Sequence, residues 1–196
     1  MERHEQIEEK VSRIRIQQMA YVGLGAALLG VISQLSIPMP GGAPATLQIF
    51  GIVLIGIVFG WKTGAAAVAV YLCIGAVGVP VFANFKGGIG MLAGTTGGYL
   101  LSFPVLAGFA GKRHKNVDGW KRLAVTFAWT LAGLAIVEIA GGVQWSLVAG
   151  GAWTLTKVFT YAAVAFVPKD ILLVVLGVLA GDIVRKALAK GKIYFE

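Results

Sequence analysis

The sequence predicts an all-α, polytopic membrane protein with six transmembrane helices. Of its 196 residues, 57% are hydrophobic and only 13% are charged, whereas soluble domains are about one quarter charged. Its mean hydropathy is +0.80. Apolar runs recur between short polar segments, and a bilayer-spanning helix needs roughly 20 such residues. The length therefore suits one six-helix domain at residues 16–190, preceded by a charged lead-in at 1–15 and followed by a tail at 191–196.

The N-terminal half contains three predicted spans. Residues 1–15 are polar, without an early apolar core, so they predict a helical cytoplasmic lead-in rather than a cleavable signal peptide. The first span covers residues 20–35, the second 46–60 and the third 63–77. A Pro- and Gly-rich loop lies between the first two, and prolines at this density exclude regular helix and strand.

The C-terminal half contains three more spans and one shorter apolar segment. The predicted spans cover residues 97–110, 123–140 and 171–188, and a basic loop precedes the second of them. The short segment is residues 153–166. Apolar runs of roughly 10–14 residues are more often re-entrant or interfacial than spanning, so we predict that this helix folds back on the outer side before the last span.

The placement of basic residues favours six crossings over seven. With both termini cytoplasmic, 14 of the 17 Lys and Arg residues fall on the inner side, as the positive-inside rule requires. Seven crossings would put the basic C-terminus outside. The net charge of +8 therefore reflects membrane topology, and nucleic-acid binding is disfavoured.

Three predicted loops that carry almost no charged residues fall on the predicted outer face. They cover residues 36–45, 79–96 and 141–151, and they are rich in Gly, Pro and side-chain amides with almost no charge. Irregular backbone near bilayer depth must be packed in protein or line a wet cavity. We therefore predict an outward-facing site for a small molecule.

Four ionisable residues in or beside the apolar segments are candidates for that site. Asp170 follows Pro168 and is placed in the first turn of the last helix, where it either caps the helix or binds a ligand. Lys157 either neutralises Asp170 or meets a ligand carboxylate. Glu138 is expected near the outer interface, with exposure there as an equal alternative to a role. Lys169 is expected at the interface, where its stem can snorkel.

The aromatic residues and the missing motifs add further constraints. Trp145, Trp153, Tyr161 and Phe166 are expected to form an interfacial belt, although Trp145 could fold inward. The sequence has no cluster with metal-ligand spacing, no nucleophilic triad and no GxxxxGK[ST] loop. We therefore expect neither an enzyme nor a bound cofactor, and a membrane enzyme or a structural scaffold is disfavoured. The lone Cys73 excludes an internal disulfide.

Several sequence blocks resemble one family closely. They are PATLQ at residues 44–48, PVFANF at 80–85 and GTTGGYL at 94–100, followed by GGVQWSLVAGG and FVPKD. In this order and spacing they resemble the BioY family, the biotin-binding S components of energy-coupling factor (ECF) vitamin transporters. The resemblance covers about residues 20–188.

The resemblance implies a prokaryotic membrane protein that captures biotin from outside and delivers it with an ECF transmembrane coupling subunit and two ABC-type ATPases. It implies ligand contacts at Asn84 and Asp170, and further candidates near the pocket. These further candidates are Tyr99, Gln144, Trp145, Lys157 and Lys169. Small residues of the first span would dock the coupling subunit, namely Gly23, Ala26, Ala27 and Gly30, because small residues let helices approach closely.

One departure from the family pattern bears on the ligand. The family commonly reads Pro-Gly-Asp-x-x-Lys, but this chain has Leu173 at the lysine position and Lys169 one helical turn earlier on the same face. Lys169 could cover the same role, or the site could prefer another acid such as lipoate. We expect that Asp170→Asn or Asn84→Ala weakens biotin binding by about 1–3 kcal/mol, the cost of unpaired buried polar groups.

Overall fold

The computed structural model describes residues 2–39, 43–113, 119–151 and 153–191. Parts of the Pro-rich loop, the basic loop and the predicted tail therefore lie outside the described residues. Helix α1 (Glu2–Ile32) is continuous, which confirms that the charged lead-in is helical and shows that it runs directly into the first apolar segment.

The first outer loop begins and ends in a small β-ladder. Strand β1 (Ser36–Ile37) pairs antiparallel with β2 (Ala45–Thr46), so the expectation that strand is excluded there was wrong at the two ends of the loop. The prolines lie between the strands, where they remove no ladder hydrogen bond.

Helices α2 (Gln48–Phe59) and α3 (Trp61–Ala76) form a tight hairpin. Its joint is the single residue Gly60, whose φ of 84° is a left-handed value that glycine adopts without steric cost. The third span, predicted at residues 63–77, begins two residues earlier in the structure, at Trp61.

The Gly-rich segment after α3 is not an extended loop, because it forms two short helical elements. It contains a 3₁₀ turn (Ala83–Phe85) and the five-residue helix α4 (Ile89–Ala93). Helix α5 (Gly97–Ala110) then follows, with the same bounds as the predicted fourth span.

Helix α6 (Gly119–Ala149) is much longer than predicted. The prediction of a third outer loop at residues 141–151 was wrong, because α6 continues through nearly all of these residues. The two glycines that suggested a turn are packing positions: a Cβ on Gly141 would lie 2.3 Å from the Tyr99 ring, and one on Gly142 would lie 2.9 Å from the Phe159 ring. Tertiary packing thus overrides the weak helix propensity of glycine.

The chain breaks once more before the last helix. Helix α7 (Leu155–Ala165) and helix α8 (Val167–Lys190) are bent by 48° at this break. Pro168 lies in the first turn of α8, where its missing N–H removes no helical hydrogen bond. A separate short helix before the last span is as predicted, and it is inclined to α8 rather than reversed.

Two helices within the described residues are long and apolar enough to cross a membrane alone, residues 14–32 of α1 and α6. The bent pair α7 and α8 counts as a third if it is one span, and α2, α3 and α5 are shorter apolar helices. The exact number of six spans stays a prediction.

The helices pack around one main core. The most extensive contacts join α5 to α6, α2 to α8 and α1 to α3. Ile52, Val53 and Leu106 are fully buried there. Gly177 lets α8 approach α2 closely, because an added Cβ would lie 2.9 Å from Val53. This packing fixes the first turn of α8 beside the start of α2.

Candidate functional site

A cavity lies where β2, the start of α2, the Gly-rich segment, α5, α6 and the start of α8 meet. Its volume is about 70 Å³, counted as space open to the centre of a water-sized sphere, and one water needs only ~10–15 Å³ on this measure. Its wall is mainly apolar, with aromatic rings from Phe82, Phe103 and Phe166. The polar residues in the wall are Thr46, Gln48, Thr96, Tyr99, Glu138, Lys169 and Asp170.

Asp170 is the most deeply buried charged residue of this cavity. It is 4% exposed and lies in the first turn of α8, as predicted. Its carboxylate pairs with the ammonium group of Lys169. Lys169 Nζ also donates to the Thr46 carbonyl at 3.3 Å, so this side chain joins α8 to β2. Lys169 therefore lines the cavity, and its expected position at the membrane interface stays a prediction.

Glu138 also lines the cavity, and its carboxyl group lies next to that of Asp170. Its Oε2 is buried and has no hydrogen-bond partner among the described residues. Exposure at the membrane interface, one of the two expectations for Glu138, was wrong. Tyr99 lines the same wall, and its hydroxyl is likewise buried without a partner in the described part of the chain.

A buried hydrogen-bond chain supports the wall beside β2. The Thr46 hydroxyl donates to Gln48 Oε1 at 2.9 Å, and Gln48 Nε2 donates to the Tyr71 hydroxyl at 2.8 Å. Thr46 and Gln48, within the block PATLQ, line the cavity and were not among the predicted site residues. The signal available was their polarity at the start of an apolar helix.

Asn84 lies beside the cavity but is not part of its wall. The neighbouring residues Phe82 and Ala83 line the cavity, whereas Asn84 is exposed. Its Oδ1 accepts a hydrogen bond of 3.0 Å from the Ser36 hydroxyl. Gln34, after α1, accepts from the Phe85 N–H at 2.9 Å. These bonds tie the 3₁₀ turn to the end of the first helix. A ligand contact by Asn84 stays a prediction.

Gln144 holds the segment between α4 and α5. Its Nε2 donates to the carbonyl oxygens of Leu92 at 2.8 Å and Gly94 at 2.9 Å. Gln144 does not line the cavity; it supports the segment that does. The Gln144 side chain therefore has a structural role, and its predicted role as a direct ligand contact stays a prediction.

The aromatic residues form a packed cluster, and whether this cluster lies at the membrane interface stays a prediction. The Trp145 ring lies 5.0 Å from Trp153, 5.9 Å from Tyr161 and 6.2 Å from Phe166, between centroids. Trp145 is fully buried, as its inward alternative required. The cluster reaches the cavity through Phe166. Trp145 packs behind that wall.

Two other predicted positions lie away from the cavity wall. Lys157 is exposed on α7, so the structure does not bring it to Asp170. Leu173 is 6% exposed and belongs to the main core. The position where the family pattern has lysine therefore packs against other helices here.

The small residues of α1 divide between two faces. Gly23 and Ala27 are exposed, and no atom lies within 4 Å of a Cβ added to Gly23. Ala26 is buried in the core, and Gly30 packs against Val81. Docking of a partner through these four residues stays a prediction, and only the exposed pair is accessible for it.

The fold and the site define a class: a helical, polytopic membrane protein with a partly open, mainly apolar cavity that has a few polar groups. Within the described residues, no group of three or more His, Cys, Asp or Glu side chains could hold a metal ion. An apolar cavity with few oriented polar groups is typical of small-molecule sites.

Comparisons with known proteins are consistent with this class. The model of the BioY family matches residues 5–190. The "Biotin transporter BioY" of Thermotoga maritima is 42% identical over 130 residues, covering 64% of this chain and 72% of that protein. The "Probable biotin transporter BioY" of Pyrococcus horikoshii is 31% identical, covering 86% of this chain and 96% of the relative. The chain therefore belongs to the BioY family.

A solved structure has the same fold. The crystal structure of the S component for biotin from an ECF-type ABC transporter superposes with a TM-score of 0.76. It is 23% identical, covering 93% of this chain and 97% of the other. The family consists of membrane transporters rather than enzymes, and the chain is a prokaryotic membrane protein.

Proposed function

We propose that this protein is the substrate-capture component of an ECF-type vitamin importer and that its ligand is biotin. The observation that carries the proposal is the mainly apolar cavity lined by the buried Asp170, in a chain of the BioY family. The relatives that match most of the chain are named as biotin transporters. No cofactor takes part, since biotin is the transported ligand.

The chemistry of the cavity suits a fused bicyclic urea. The thiophane ring and the valerate chain are apolar and match the rings of Phe82, Phe103 and Phe166. The carboxylate of Asp170 is an acceptor for a ureido N–H, and Asn84 would reach the same head group from the 3₁₀ turn. Lys169 is the cavity-lining lysine that could shift from Asp170 towards the ligand carboxylate.

The proposed function also implies partner subunits and an orientation in the membrane. A transmembrane coupling subunit and two ABC-type ATPases would supply the energy, and the exposed pair Gly23 and Ala27 would face the coupling subunit. Both termini would be cytoplasmic and the cavity would face outward. The supporting observation is that 14 of the 17 basic residues fall on the inner side of a six-span arrangement.

A second ligand is favoured by one observation. Leu173 is buried in the core instead of presenting a lysine to the ligand, so the site could take another small carboxylic acid such as lipoate. Lipoate lacks a urea, so it would leave the polar atoms of the cavity unpaired, and this costs free energy. We therefore rank biotin first.

Binding to the purified protein in detergent tests the proposal. Calorimetric titration should show saturable binding of biotin, weaker binding of desthiobiotin and no competition by lipoate. Mass spectrometry of the untreated preparation should detect co-purified biotin. Lipoate binding more tightly than biotin would replace the ligand, and failure to bind either acid would refute the capture function.

The variant Asp170→Asn gives a second arm of the test. It removes the charged acceptor while it keeps the size of the side chain, so biotin affinity should fall about 5–150-fold, which corresponds to about 1–3 kcal/mol. The exposed substitution Lys157→Met on α7 is the control and should bind like the wild type. Equal affinities of wild type and Asp170→Asn would remove Asp170 from the site.

A further inference from the structure

Two polar atoms of the cavity wall have no hydrogen-bond partner among the described residues, the Tyr99 hydroxyl and Glu138 Oε2. One is a donor and the other an acceptor. Unpaired buried groups of this kind are rare in folded proteins and cost free energy. Asp170 differs from them, because its carboxylate already pairs with Lys169.

Helix packing places these two groups side by side. Gly141 lies three residues after Glu138, on the same face of α6. A Cβ on Gly141 would lie 2.3 Å from the Tyr99 ring, so the ring of Tyr99 rests against this face of α6. Gly98 brings the helices together, since its added Cβ would lie 2.2 Å from the Ala140 carbonyl oxygen.

We propose that Glu138 is a specificity-determining residue that binds one edge of a cyclic urea, a proposal that rests on the proposed function. Each edge of a cyclic urea presents an N–H donor beside the C=O acceptor. The carboxyl group of Glu138 accepts from the N–H, and the Tyr99 hydroxyl donates to the C=O. Asp170 is left for the second N–H.

The charge of the cavity leads to a measurable preference. The charged residues in its wall are two acids, Glu138 and Asp170, and one base, Lys169. The lysine pairs directly with Asp170 and also acts on the neighbouring Glu138, so the two acids have one cation between them. A ligand whose head group is itself a cation would provide a second. The analogue 2-iminobiotin has a guanidinium in place of the urea and keeps both ring N–H groups. Its exocyclic N–H replaces the C=O, and the Tyr99 hydroxyl oxygen accepts from it, because a hydroxyl can both donate and accept.

The experiment compares biotin with 2-iminobiotin at neutral pH by calorimetric titration of the purified full-length protein. The wild type should bind 2-iminobiotin at least as tightly as biotin. In Glu138→Gln, an amide oxygen still accepts from a neutral urea but no longer balances a cation. The ratio of the two dissociation constants should therefore shift about tenfold towards biotin. The control Ser146→Ala, on the same helix outside the cavity, should keep the wild-type ratio.

The possible results separate this inference from the proposed function. A wild type that binds biotin, together with a ratio that shifts less than about threefold in Glu138→Gln, overturns the role of Glu138 and leaves biotin capture intact. A wild type that fails to bind biotin refutes the capture function, and the inference falls with it. If Glu138→Gln does not fold, the comparison of the two ligands on the wild type is the test. Weaker binding of 2-iminobiotin than of biotin by the wild type overturns the proposal.

Discussion

Asn84 occupies a left-handed backbone conformation, with φ 59° and ψ 37°. Asn tolerates this region better than most residues, and glycine tolerates it best. The side chain also accepts the hydrogen bond from Ser36. Asn84 therefore has a structural role in the 3₁₀ turn in addition to its predicted contact with ligand, and a substitution to Ala changes both.

Replacing Asn84 by Gly separates the two roles. Glycine keeps the backbone conformation and removes the amide, so Asn84→Gly should weaken biotin binding about tenfold while stability changes little. Asn84→Ala should weaken binding at least as much and also lower the free energy of unfolding by about 1 kcal/mol. Titration calorimetry and thermal unfolding in detergent measure these effects. Wild-type affinity in Asn84→Gly would assign Asn84 to the turn alone.

The position of Asp170 could be predicted from the sequence, whereas the role of Glu138 could not, and the difference has a physical cause. Asp170 follows a proline, so its position in the first turn of a helix is a local property. Glu138 reaches the same cavity from a helix 32 residues earlier in the sequence. Which face of α6 it occupies depends on how α6 packs against α5 and α8, and no local pattern encodes that packing.

At the scale of elements, glycines set the distances between helices. Gly98 lies in the first turn of α5, and an added Cβ would meet the Ala140 carbonyl oxygen at 2.2 Å. Backbone cannot move aside as a flexible side chain can, so the two helices would have to separate. Gly108, on the same helix, has no atom within 4 Å of an added Cβ.

These two glycines give a matched pair of variants. Gly98→Ala should lower the free energy of unfolding by about 1–3 kcal/mol, the usual cost of overpacking, and should weaken ligand binding because the cavity lies at the same contact. Gly108→Ala should be neutral or slightly stabilising, since alanine favours helix over glycine. Thermal unfolding in detergent measures both. Equal effects of the two substitutions would contradict this account of the contact between α5 and α6.

Gln144 connects α6 to the segment between α4 and α5. Gln144→Leu removes the donor for two carbonyl oxygens, so the segment should open more often. Biotin should then dissociate several-fold faster, with a smaller change in the association rate. Stopped-flow displacement measures both rates, and Ser146→Ala is the control. A change confined to the association rate would argue against a role for Gln144 in holding the segment closed.

Most helix positions could be predicted from apolar runs, but several ends could not. The bounds of α5 matched because Gly97 and the residues after Ala110 mark clear changes in polarity. The end of α6 did not match, because Gly141 and Gly142 have the composition of a turn. Their helical state depends on the rings of Tyr99 and Phe159 packed against them. Information of this kind lies in the contacts between elements.

The whole molecule has two chemically different ends. The cavity surrounds Asp170 at the start of α8. Twelve residues later, about 18 Å along the helix, Asp182 pairs with Arg122 at 2.6 Å and with Lys186 at 2.6 Å. The basic residues around Asp182 are on the side that the positive-inside rule assigns to the cytoplasm. The cavity should then open towards the outside.

Cysteine labelling in cells tests this orientation. In a Cys73→Ser background, Lys86→Cys should react with a membrane-impermeant maleimide in intact cells, because Lys86 is exposed beside the cavity end. Lys190→Cys, exposed at the end of α8, should react only after the membrane is permeabilised. The background variant should remain unlabelled throughout. Labelling of Lys190→Cys in intact cells would place the basic end outside, and a cavity that opens to the cytoplasm could not capture a vitamin from the medium.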